Sequence, residues 1–128
     1  MSCFWQGILA RLTPAERERM GPTPARLKEW LRANNRPSHR CLWQGELRSE
    51  AEIREAEEWI RTDESRVQDG HDTSTCDPYL CLLVELLAVD VVHAYMGTEI
   101  RYTFARGNPA VQVRTLRFRS DRGHFWAG

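Results

Sequence analysis

Apolar residues recur at helical spacing from the start of the chain. Phe4, Ile8 and Leu12, with Trp5 and Leu9 beside them, mark one buried face of a helix over residues 2–12. Thr13-Pro14 opens a short charged helix over 15–20, which Gly21-Pro22 breaks. Thr23-Pro24 reads as an N-cap with proline in the first turn, and Leu27, Trp30 and Leu31 give that helix its buried side before it ends near Asn34-Asn35. Residues 36–45, with Pro37, His39, Cys41 and Trp43, read as a loop. Ser49 and Glu52 form a capping box for a further helix carrying Ile53, Ala56 and Ile60, with Trp59 on or beside its apolar side. The polar run 62–75, with a turn at Asp69-Gly70, reads as a long loop.

The second half changes period. Asp77-Pro78 reads as N-cap and first helical residue of a helix over 79–88 that is apolar nearly all round, as a central buried helix is. Residues 89–96 are rich in β-branched side chains, Gly97-Thr98 turns the chain, and 99–104 alternates with period two, which predicts a hairpin. A Gly-Asn-Pro loop follows. Residues 111–118 alternate again, with a slip at Arg114-Thr115. Ser120 to Gly123 is a tight turn before a last short strand at His124-Phe125-Trp126. The order predicts one α+β domain over 1–128, helices followed by a small antiparallel sheet.

Composition narrows the function classes. The net charge is zero, so no global field favours nucleic acid or a membrane surface. Arginine supplies nearly all positive charge, since Lys28 is the only lysine. Nucleic-acid contact and a GC-rich coding sequence both account for the excess, the second more cheaply. Glu85 and Asp90 interrupt the best apolar run, so no bilayer span is expected, nor is a signal peptide. The four cysteines do not make a dense disulfide framework, which points to a soluble protein of a reducing compartment.

Cys3 carries the sharpest chemistry. The first N–H groups of a helix lack internal partners and bear partial positive charge, and a thiol there is held as thiolate more easily than on a loop. The plain alternative is a buried structural cysteine near a helix start. Cys76, close to His71 and Asp72, is the rival nucleophile, but Asp77 beside it disfavours thiolate. Cys81 reads as core packing. A zinc site from His39, Cys41, His71, Cys76 or Cys81 lacks paired-knuckle spacing. His93 receives no role, and the series Arg114, Arg117, Arg119, Arg122 reads as a solvated strand face or an electrostatic contact with an acidic partner.

Taken in order, these segments resemble the ovarian-tumour (OTU) family of cysteine proteases, in its compact viral form. Cys3-Phe4-Trp5-Gln6-Gly7-Ile8 resembles the family's cysteine motif. Glu85-Leu86-Leu87-Ala88, the strands that follow, and Gly123-His124-Phe125 resemble its C-terminal half. The resemblance spans essentially the whole chain. It implies a papain-like architecture, Cys3 as nucleophile, His124 as general base and Asp121 as the nearest acid. It further implies ubiquitin or ubiquitin-like conjugates as partners, no cofactor or metal, and a cytoplasmic setting, the host's for a viral protein. Two departures stand out: Asp-Gly-Asn does not precede Cys3, and Trp126 holds the place where the family often has an acid or amide to orient the histidine. A catalytically silent module that binds ubiquitin or another protein is the alternative. Trp5 and Trp126 are channel walls in the enzymatic reading and core aromatics in the plain one.

Overall fold

The computed structural model describes residues 3–36, 38–64, 73–108, 110–121 and 123–128, with side chains left out of the description at 73–76. The first four helices lie where the sequence pattern places them, and three of them begin at the expected caps. Helix α1 is Cys3–Arg11, α2 Pro14–Met20, α3 Pro24–Ala33 and α4 Glu50–Thr62. The hydroxyls of Thr13, Thr23 and Ser49 each accept the backbone N–H three residues on, and Glu16 and Glu52 close the two capping boxes. Arginines finish two of the helices from outside. Arg17 donates to the carbonyls of Leu9 and Leu12 at the end of α1, and Arg32 to those of Ile60 and Arg61 at the end of α4.

The fifth helix, α5, runs Thr73–Leu87 and starts before the expected N-cap. Asp77 therefore lies inside the helix, and its carboxylate accepts the Tyr102 hydroxyl rather than capping anything. Pro78 is inside the helix as well, where it removes one backbone donor. The polar residues before it read as loop because they carry no apolar period. Residues 65–72, with Asp69-Gly70, His71 and Asp72, lie outside the described part of the chain.

The sheet has six strands in the order β2-β1-β4-β3-β5-β6. Strand β1 is Cys41–Trp43, β2 Glu46–Leu47, β3 Asp90–Tyr95, β4 Thr98–Phe104, β5 Thr115–Ser120 and β6 Phe125–Ala127. Two expectations are corrected. The sheet is mixed, because β5 lies parallel to β3 (Val91 opposite Leu116, His93 opposite Phe118) while the other pairs are antiparallel. Residues 36–45 are not all loop: β1 adds to the edge of β4, and its hairpin with β2 sits between the third and fourth helices. Both hairpin turns are left-handed at two residues, Gln44-Gly45 and Met96-Gly97, the conformation that fits the twist of the flanking strands. Strand β5 begins at Thr115, past the slip in alternation, and residues 110–112 are exposed.

One face of the sheet carries the core. Val91, Tyr102, Leu116, Phe118 and Phe125 meet Phe4, Trp5, Ile8, Tyr79, Leu80 and Leu83 from α1 and α5. Aromatic rings link them: Trp5 stands edge-on to Tyr79 at 4.8 Å between centroids, and Phe4 to Phe125 at 4.9 Å. Beside this cluster, Lys28 of α3 pairs with Asp63 at 3.0 Å, and the Tyr79 hydroxyl donates to the same carboxylate at 2.6 Å. That network ties α3, the end of α4 and α5 together. Among the described residues no helix is long and apolar enough to cross a membrane.

Candidate active site

The two ends of the chain meet through α1 and β6. Phe4 packs on Phe125, Gly7 lies against Phe125 and the backbone of Ala127, and the Arg11 guanidinium donates to the Arg117 carbonyl at 3.2 Å. That same carbonyl accepts the N–H of Gly128 at 3.0 Å. Helix and strand therefore run in the same sense. Cys3, in the first turn of α1, is at the end of this pair where His124 leads into β6. Both residues are half-buried.

His124 is held by a turn and by a ring. The Asp121 N–H donates to the His124 carbonyl at 3.0 Å, and Asp121 Oδ1 accepts the N–H groups of Gly123 and His124 at 2.8 and 2.9 Å. Asp121 thus fixes the backbone from which the imidazole projects. The imidazole itself stands edge-on to the Trp126 indole, 4.3 Å between centroids, and the Arg119 guanidinium covers the indole at 4.9 Å. Since side chains alternate along a strand, His124 and Trp126 share the side of β6 opposite Phe125. A sulfur reaching this imidazole from α1 has to meet it at the end of β6, past Phe125.

The remaining candidates fall elsewhere. Position 76 is within α5 rather than ahead of it, and its side chain is outside the description, as are His71 and Asp72. Cys41 and Cys81 are buried thiols facing each other from β1 and α5. The neighbouring Cys81 thiol, then burial, push the Cys41 thiol far up, so it stays protonated and inert as a nucleophile. Trp5 is a core aromatic, 5% exposed. Arg117 and Arg119 are exposed on the outer sheet face, and Arg114 pairs with Glu16 at 2.8 Å; Arg122 lies outside the described residues. Among those residues no group of three possible metal ligands comes together.

His93 is a satisfied strand histidine. It is fully buried in β3, hydrogen-bonded to Ser120 Oγ at 2.6 Å and 5.3 Å from the Phe125 ring. Its place in a β-branched strand fits burial; the partner, 27 residues away, leaves no trace in local sequence.

The molecule is an α+β domain with a half-buried thiol and a half-buried imidazole at one end of a helix–strand pair. No protein-family model matches the chain, and neither the curated proteins nor the solved structures contain a significant match to it.

Proposed function

We propose that this chain is a cysteine-dependent isopeptidase acting on ubiquitin or ubiquitin-like conjugates, with Cys3 and His124 as its dyad, working in the cytoplasm. The carrying observation is the parallel packing of α1 on β6, which brings the first turn of the helix and the start of the strand to one end. In this reading His124 takes the Cys3 proton, and the thiolate attacks the carbonyl carbon of the isopeptide bond. The oxyanion forms near the Cys3 amide at the helix start. Collapse breaks the C–N bond as His124 returns the proton to the leaving amine, and water then cleaves the thioester. Trp126 takes over the orienting task by packing on the imidazole, while Asp121 acts as a positioning residue through the turn.

One observation favours a second reading, a silent binding module: Asp121 Oδ1 is already engaged by two backbone N–H groups. Ubiquitin bearing an electrophilic C-terminus separates the two. The enzyme is captured covalently, capture is lost in Cys3→Ala and His124→Ala, and it survives in Cys76→Ala. Binding without capture supports the module, and absence of both refutes the ubiquitin-directed proposal.

A further inference from the structure

A concave feature lies on the helix side of the sheet, between the β1–β2 hairpin, α4 and α5. It is a groove of about 320 Å³ walled by Trp43 and Trp59. That volume is at the lower end of small-molecule sites, roughly 300–1,000 Å³, and suits one extended side chain. Trp43 is 41% exposed, a large apolar surface left facing solvent in a concave place. Its partner across the ladder is Tyr102, whose hydroxyl donates to Asp77 in the groove lining.

The charge of the lining is one-sided. Glu52, Glu55 and Asp77 border the groove with a single guanidinium, Arg48. Arg48 is already matched by the buried Glu85 at 3.2 Å and donates to the carbonyls of Cys41 and Ser38. Glu52, Glu55 and Trp59 sit three and four residues apart on α4, so they share one helix face. Indole faces attract cations through their quadrupole, and carboxylates beside them add Coulombic attraction.

We propose that this groove receives a cationic side chain, lysine or arginine, presented by an exposed segment of a partner protein. The aliphatic stem lies between the tryptophans and the charged head meets the carboxylates. The site is independent of the dyad, so it stands whether or not the chain is a hydrolase.

The test uses Cys3→Ala protein, which rules out cleavage of the probe. Acetylated, amidated Gly-Arg-Gly and Gly-Lys-Gly are titrated while the indole N–H signals are followed by NMR, with Gly-norleucine-Gly as the neutral control. The expected result is movement of the Trp43 and Trp59 signals by both cationic peptides, at least tenfold weaker for norleucine. Glu55→Gln, an exposed change, weakens binding at least threefold, as does added salt, and Trp43→Ala abolishes it. The proposal is overturned by equal binding of the norleucine peptide, or by no movement of either signal. Tetramethylammonium binding as tightly as the peptides overturns the protein partner in favour of a small cation. Concentration-dependent dimerisation that broadens the same two signals assigns the groove to a second copy instead.

Discussion

Gly7 has no room for a side chain beneath Phe125: a Cβ on it would stand 2.8 Å from Cδ1 of that ring. The ring is wedged between Phe4, Phe118 and His93, so it has little freedom to yield. Two effects oppose each other in Gly7→Ala. Alanine gains about 1 kcal/mol as the better helix former. Overpacking a filled core costs about 1–3 kcal/mol. The 2.8 Å approach to a ring that cannot yield puts the cost above the gain, and urea denaturation is expected to show a net loss of up to about 2 kcal/mol together with slower probe capture. A stabilised Gly7→Ala protein would mean that α1 can slide away from β6, and the proposed site would lose its support.

If the indole orients the imidazole, removing it matters more for rate than for stability. Trp126→Ala forfeits the cation–π contact with Arg119, about 0.5–1 kcal/mol at an exposed site. Capture by the electrophilic ubiquitin should slow by on the order of hundred-fold, the lower end of what a positioned base contributes. Trp126→Phe should recover part of that rate. Equal capture rates for wild type and Trp126→Ala would remove the indole from the mechanism.

Lys28 and Asp63 are both buried, with side chains 9% and 3% exposed. Lys28→Met takes the ammonium from the Asp63 carboxylate while the Tyr79 hydroxyl still donates to it. Breaking a buried pair from one side typically costs about 3–5 kcal/mol, and the surviving hydrogen bond favours the lower figure. The double variant Lys28→Met/Asp63→Leu is expected to regain only part of the loss: apolar replacement offsets the broken pair, but it also removes the acceptor of the buried Tyr79 hydroxyl. Chemical denaturation of the single and double variants checks both statements.

Tyr79 supplies an alkaline limit. Burial, then its hydrogen bond to the Asp63 carboxylate and that group's charge, push its phenol well above the ordinary value. A folded-state value above the unfolded one means that its stabilising contribution is intact below about pH 10, where a free tyrosine titrates. It is lost as pH rises further, by up to about 1.4 kcal/mol per pH unit for one proton. Tyr79→Phe should make this limb shallower while lowering stability at neutral pH through the lost hydrogen bond. An unchanged alkaline limb in Tyr79→Phe would assign it to other groups.

Local signals explain which parts of the fold were legible. Thr13, Thr23 and Ser49 announce their helices because a cap is decided within four residues. The β3–β4 hairpin was readable for the same reason. By contrast, β1 is three residues long and exists through its pairing with β4, some sixty residues away, which no local pattern encodes. The parallel placement of β5 beside β3 is likewise a product of chain path, not of alternation. At the proposed site, the types at Cys3 and His124 were visible, whereas the duty of Asp121 depends on where its carboxylate turns. The groove between Trp43 and Trp59 is hidden for a related reason: one of its two tryptophans comes from a stretch that reads as loop.

The burial of Lys28 makes the folded chain an indicator of its own opening. Among these residues no other lysine amine exists for an acylating reagent to find, and this one is clamped by a carboxylate. Lysine-directed mass tagging should therefore stay silent on the native domain, and its onset should time the separation of α3 from the end of α4.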